Sequence, residues 1–338
     1  MLRLILSLVL PLSAVLAVTP RVLPVLRRLK FGQTIYKLGP ESHQAKQGTP
    51  TMGGLILAGV VAVALPLLHG AWFGLEDFGL ILLVFSLVSM AIGFLDDYIK
   101  VVRKRSLGLV WWQKVVGQVA VGLVFSLYCY RHPLVGSRII IPFTAMEWDL
   151  GIWYVPLMTL VIMFMINSAN LQDGLDGLLA SVAGVGGVAW AAVALISGGA
   201  VAGLAIGAGA QYQNLAVFSL ALSGACLGYL WFNFHPARVF MGDTGSMFIG
   251  GATVGLALLL RQPLLLLLIA CTMILSSLSV MMQRVYYKLT HGRRIFKMSP
   301  IHHHFELSGM TEPQIVAMYA AVTGVLSVIA ALSLWPVG

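Results

Sequence analysis

Carboxylates are scarce in this chain. Of 338 residues only 12 are acidic, 10% are charged and 59% are hydrophobic. With a mean hydropathy of +0.92, that balance excludes a soluble globular protein and indicates an integral membrane one. Cysteine is equally sparse. Cys129, Cys226 and Cys271 each lie inside an apolar run without CxxC or Cys/His spacing, so neither zinc nor a disulfide framework is indicated. They read as small buried hydrophobes. Strict apolar/polar alternation is lacking too, which disfavours a transmembrane barrel.

What is present is a series of apolar runs of about 17–25 residues, the length that spans about 30 Å of hydrocarbon. A backbone in lipid must satisfy its own hydrogen bonds, so runs rich in Leu, Val, Ala and Gly read as helices. Spans are expected near 2–18, 53–69, 79–95, 111–129, 154–170, 178–198, 213–231, 247–260, 263–282 and 315–335. The fold class is therefore all-α, a polytopic transmembrane bundle forming a single domain over 1–338. Residues 1–18 resemble a signal peptide, but Arg21, Arg27, Arg28 and Lys30 follow as a cytoplasmic flank, so this run is taken as a retained span.

Alternating the loops sorts the 21 Lys and Arg residues sharply: Arg3, Arg131, Arg138 and Arg261 fall on one side and the others opposite, with Lys114 at the start of the fourth run. The positive-inside rule then makes both termini periplasmic and places 19–52, 96–110, 171–177, 232–246 and 283–314 in the cytoplasm. The formal charge of +9 suits anionic membrane lipid and a polyanionic substrate, and nucleic acid is not an expected partner. Asp96, Asp97, Asp173, Asp176 and Asp243 all fall at cytoplasmic junctions, whereas Glu76, Asp77, Glu147 and Asp149 fall on the opposite face.

The polar junctions differ in chemistry. In Gly39–Gly54, glycines and prolines forbid a regular helix, while Lys46, Thr49 and Thr51 offer an ammonium and hydroxyls to phosphate. Adjacent Asp96 and Asp97 project about 100° apart on a helix, so one should face a site and the other a basic partner unless the helix ends there. Asn170-Leu-Gln-Asp173-Gly-Leu-Asp176-Gly177 is either helical, with both aspartates on one face, or a broken turn. It lacks EF-hand ligand spacing. Asp243, between Gly242 and Gly245 and near Thr244 and Ser246, suits a hard cation that also touches phosphate. His302, His303 and His304 lack helical metal-ligand spacing and are read as a loop that hydrogen-bonds phosphate or sugar.

Taken together, Gly39–Gly54, the Asp96-Asp97 junction, Asn170–Leu178, Trp231-Phe-Asn233 with Phe240–Ser246, and Arg294–Leu307 resemble the phospho-N-acetylmuramoyl-pentapeptide transferases. These belong to the polyprenyl-phosphate N-acetylhexosamine-1-phosphate transferase superfamily, and the Pro300–Glu306 string points to the muramoyl branch. The resemblance implies a multi-pass enzyme of the bacterial inner membrane, in peptidoglycan synthesis, that moves phospho-MurNAc-pentapeptide from UDP to undecaprenyl phosphate. It implies Mg²⁺ on Asp243 and catalysis at the prenyl phosphate by Asp96 and Asp97. It also implies a donor pocket from Lys46, Thr51, Asn170, Asp173, Asp176, Asn233, Phe240, Gln283, His302, His303 and His304. Gln172, Ser276, Met310 and Met318 depart from the usual pattern without removing any of these. A sister transferase using UDP-GlcNAc and, more remotely, a transporter are the alternatives, and the small residues Gly184–Gly187 leave a homodimer open.

Overall fold

The computed structural model describes residues 1–28, 46, 48–68, 77–103, 108–144, 146–201 and 208–334. Its long helices are α1 (Leu2–Arg28), α2 (Gly54–Leu68), α3 (Phe78–Val102), α4 (Trp111–Arg131), α5 (Tyr154–Gln172), α6 (Leu178–Val201) and α7 (Ala208–Asn233). Then come α8 (Gly242–Leu259), the short α9 (Leu266–Ile269), α10 (Cys271–Leu289), the short α11 (Ile301–Glu306) and α12 (Glu312–Leu332). Six helices are long and apolar enough to cross a membrane, or seven if the bent pair Pro263–Ile269 and Cys271–Leu289 counts as one span. The protein is thus a multi-pass helical membrane protein.

Helix α8 is the centre of the bundle. Every residue from Thr244 to Leu259 is buried, as expected of a helix that is apolar on all sides. Small residues let its neighbours approach: a Cβ on Gly251 would lie 2.8 Å from Ser89 Oγ of α3, and one on Gly250 would lie 2.8 Å from Ile166 Cα of α5.

The end of the bundle at the α3 N-terminus is closed by ordinary polar contacts. Asp77 caps α3 by accepting the Leu80 N–H at 3.0 Å, a contact worth about 1 kcal/mol. Arg3 donates to Leu68 O and to Asn214 Oδ1, and Asn214 donates to Asp77. An antiparallel pair, β1 (Arg138–Ile140) and β2 (Glu147–Asp149), joins α4 to α5 at this end, and Arg261 beyond α8 reaches Glu147 at 2.8 Å. Three of the four basic residues assigned to the outer face therefore gather with three of its acids.

Four features differ from the sequence reading. Helix α1 runs on to Arg28 rather than stopping near 18, because Pro20 and Pro24 are accommodated inside it. Helix α3 runs on to Val102 rather than stopping near 95, so Asp96 and Asp97 lie within it. The run 263–282 is not one straight span but bends by 87° at Ala270, the residue between α9 and α10. The three histidines lie on the six-residue helix α11 rather than in a loop.

Candidate active site

About 28 Å along α3 from its capped start, Asp96 and Asp97 meet the first turn of α8. Gly93 makes this possible, since a Cβ there would lie 2.2 Å from Asp243 O. Gly242 has φ +74°, a conformation glycine adopts freely, and a Cβ on it would lie 2.6 Å from Asp97 Oδ2. Asp97 then caps α8 from another helix, accepting the Thr244 N–H at 2.9 Å and the Thr244 hydroxyl at 2.7 Å. A carboxylate at a helix N-terminus is favoured by the helix dipole. Asp96 accepts the Leu109 N–H at 2.9 Å and pairs with Lys100 at 2.6 Å.

Asp96, Asp97 and Asp243 each offer a carboxylate oxygen, and these atoms lie within 4.8 Å of one another. Lys114 Nζ stands 2.7 Å from Asp243 Oδ2 and Lys100 Nζ 3.1 Å from the same oxygen. Three carboxylates against two ammoniums leave one negative charge in excess. On the other side of Asp243, Asn170 Nδ2 donates to Oδ1 at 2.8 Å and to Ser246 Oγ at 2.9 Å. The sequence reading put Asn170 in the donor pocket, whereas its amide here bonds the expected metal ligand itself.

A second cluster lies across the turn after α5. Asp173 is the C-cap of α5, and α6 starts at Leu178, so the Asp-Gly-Leu-Asp string is the broken turn of the two geometries considered. Lys46 Nζ stands 2.8 Å from Asp176 Oδ1 and 2.7 Å from Glu312. Asp176 Oδ2 accepts the Ala237 N–H at 3.0 Å and lies 3.2 Å from His235 Nδ1, while the Asp176 N–H donates to Glu312 Oε2 at 3.1 Å. Asp176, His235 and Glu312 form a second group with metal-ligand spacing, with Lys46 already between two of its carboxylates. Asp173 joins the two clusters electrostatically. Burial pushes its carboxyl well above the ordinary carboxylate range, and the charges of Asp243, Asp97 and Asp176 push it further.

The remaining expected residues divide. His302 and His303 are buried against the turn: a Cβ on Gly174 would lie 2.4 Å from His302 Nε2 and 3.2 Å from His303 Nε2. His303 Nδ1 lies 3.0 Å from Glu306. His304 turns away, its Nδ1 accepting the Lys297 N–H and its ring against Phe296. Gln283 is a brace, its Oε1 accepting the N–H groups of Ile295 and Phe296. Asn233 donates to Val239 O, and its buried Oδ1 has no hydrogen-bond partner among the described residues. Thr51 is buried beside Gly242, and Phe240 is joined by backbone bonds to Pro50 and Gly53. Lys100, Lys114 and Glu312 were missing from the expected site. Lys100 entered the sequence reading only as one of the basic residues of its loop and Lys114 only through the sorting of charge by side, and Glu312 was not singled out.

Buried carboxylates converging with ammoniums at one end of a helical membrane bundle mark a class: a membrane protein with a candidate site for phosphate-bearing ligands. Comparison with known proteins narrows it. The profile described as glycosyl transferase family 4 matches residues 79–261, and the phospho-N-acetylmuramoyl-pentapeptide-transferase signature 1 matches residues 46–56. The phospho-N-acetylmuramoyl-pentapeptide-transferase of Desulfitobacterium hafniense is 42% identical over 333 residues, 97% of each chain. Those of Halalkalibacterium halodurans and Heliobacterium modesticaldum are also 42% identical, over 94% and 95% of each chain. The chain belongs to the phospho-N-acetylmuramoyl-pentapeptide-transferase family.

Proposed function

We propose that this chain transfers phospho-MurNAc-pentapeptide from UDP-MurNAc-pentapeptide to undecaprenyl phosphate, giving lipid I and UMP, where Asp96, Asp97 and Asp243 converge. The observation that carries this reading is three carboxylates within 4.8 Å beside two ammoniums, in a chain alike over 97% of its length to a named transferase. Both substrates are anions. Two unit charges 4 Å apart near a protein surface repel by roughly 4 kcal/mol, so the site must supply compensating positive charge.

The donor set fits a divalent cation. Its ligands are hard carboxylate oxygens carrying excess negative charge, the chemistry that Mg²⁺ takes, and Asp243 would hold it with Asp96 and Asp97 in reach. When bound, such an ion supplies positive charge to the pyrophosphate and to departing UMP. Lys100 and Lys114 then serve phosphate oxygens rather than Asp243 alone. A phosphate monoester has its second pKa near 6, so undecaprenyl phosphate is largely dianionic at neutral pH and needs no strong base. Asp96, turned toward Lys100, accepts any residual proton, and Asp97 holds the α8 start in place. Attack is direct. Capture of phospho-sugar on the protein in the absence of acceptor would overturn that order of events in favour of an aspartyl intermediate.

Lys46, Thr51, Asn170, Asp173, Asp176, Asn233, Phe240, Gln283, His302, His303 and His304 make up the donor side in this reading, with Gln283 and His304 acting through the segments they brace. The buried Asn233 Oδ1 is a free acceptor suited to a nucleotide N–H. The single domain spans the bacterial inner membrane about ten times, since α2, α4 and α8 complete the set of crossings, with both termini periplasmic and the site cytoplasmic. The direct test measures UMP release with UDP-MurNAc-pentapeptide and with UDP-GlcNAc. A preference for the muramoyl donor is expected, and a preference for UDP-GlcNAc would overturn this reading.

A further inference from the structure

Helices α1 and α7 run parallel and touch closely, then part. A Cβ on Gly224 would lie 2.0 Å from Leu8 O, and one on Gly228 would lie 2.6 Å from Leu12 O. Beyond Gly228 the small residues of α7 give way to Trp231 and Phe232, while α1 presents Pro20 and Pro24, which cannot continue its hydrogen-bond ladder. The helices separate around a groove of about 630 Å³. Leu16, Leu23 and the two prolines form one wall, the two aromatics the other, and the guanidinium side chains of Arg27 and Arg238 complete the lining. Both arginines are exposed, and neither pairs with an acid of the described residues.

We propose that this groove binds an anionic phospholipid of the leaflet on the active-site side. Its acyl chain would lie along the apolar walls, with its phosphate between Arg27 and Arg238. Three observations identify the occupant. Helix α1 has 27 residues and is about 40 Å long, more than the hydrocarbon thickness, so its last turn with Arg27 reaches the headgroup layer. Trp231, 73% exposed at the end of α7, sits where interfacial aromatics collect. Two guanidiniums without an acid partner among the described residues, over an apolar slot, match a lipid phosphate better than a protein partner. The prenyl acceptor is disfavoured because its phosphate has to reach Asp96, Asp97 and Asp243, and no lining residue bonds to those acids.

The site has a structural route to the donor side, and that part rests on the function proposed above. The Arg238 N–H bonds Phe232 O at 2.8 Å, the Ala237 N–H next to it bonds Asp176 Oδ2, and Val239 O accepts from Asn233. A phosphate that holds Arg238 therefore steadies the segment carrying those contacts.

The test uses the full-length protein in bilayers of phosphatidylcholine with and without phosphatidylglycerol, and reads retained lipid by native mass spectrometry. Each arginine near a lipid phosphate is worth about fivefold, so Arg27→Gln with Arg238→Gln is expected to lower phosphatidylglycerol retention roughly 30-fold. Arg21→Gln with Arg28→Gln removes the same number of charges, both from the C-terminal part of α1 but outside the groove, and should leave retention near wild type. Equal losses in the two variants, or none in the first, would overturn the proposal. So would displacement by inorganic phosphate alone, displacement by undecaprenyl phosphate, or a second copy of the chain found over the groove. Retention is read without turnover, so failure of the transferase assay leaves this result standing. The coupling is read separately, as a rise in donor KM of the Arg27→Gln/Arg238→Gln variant only in phosphatidylglycerol-containing bilayers.

Discussion

The two ends of the bundle hold the same residue types in opposite states. At the hairpin end, Asp149 is 52% exposed and sits 3.6 Å from Arg138, and the Ser137 hydroxyl and Gly151 N–H hold its carboxyl below the ordinary range. At the other end, burial drives Asp173 in the opposite direction, and neighbouring carboxylates add to the shift. A water-exposed acid with a nearby arginine is satisfied by itself and contributes little. A buried group of like charges pays for desolvation and repulsion together, so it persists where a ligand completes it. Acid content alone does not separate structure from function; convergence and burial do.

The largest expected effect comes from removing charge at the buried end. Asp97→Asn keeps the size of the side chain and part of the α8 cap but loses the charge, and should lower kcat by about 10²–10³. An outcome within twofold of wild type would erase the distinction between the two ends. Glu312→Gln should act next, because Glu312 fixes the Lys46 ammonium and the Asp176 N–H. Donor KM is expected to rise about tenfold with kcat nearly unchanged, the signature of lost ground-state binding. Lys46→Met should remove most of that effect in the double variant, and simple additivity would break the link between the two residues.

Smaller effects sharpen the contrast. Asp149→Asn at the exposed end should leave turnover within about twofold, as surface pairs do. Asp173→Asn tests the raised carboxyl through stability. An acid whose folded pKa lies above its unfolded value of about 3.9 destabilises the fold progressively as pH rises between those two values. The melting temperature of Asp173→Asn should therefore gain on wild type as pH rises above about 4 and stop gaining above the folded pKa. A difference independent of pH would mean that Asp173 is ionised without penalty.

Much of this arrangement was legible before the structure. Apolar runs gave the helices, and sorting Lys and Arg by loop separated the acids of α3, α8 and the α5–α6 turn from those of the hairpin. The bend at Ala270 was not legible, because Leu-rich sequence continues on both sides and no Pro or Gly stands at the break. The short helix α9 before it packs against α12. The histidine helix was missed because six residues carry too little periodicity to register against the preceding Pro300. Lys100 and Lys114 were hidden by their dual nature, since topology alone accounts for basic residues at a cytoplasmic boundary. Glu312 sits beside Pro313 and in a capping context with Thr311, where an acid is expected on helix grounds. Only the fold brings it to Lys46.

The central claim is that the buried acid cluster performs the transfer, and Asp243 is its hub. The decisive measurement is UMP release from UDP-MurNAc-pentapeptide and undecaprenyl phosphate by wild type and Asp243→Ala across a Mg²⁺ titration, with the melting temperature of each recorded. Wild type should depend on Mg²⁺, and the variant should stay folded with activity down by about 10³ or more at every concentration. Full activity in a folded Asp243→Ala protein would contradict the claim.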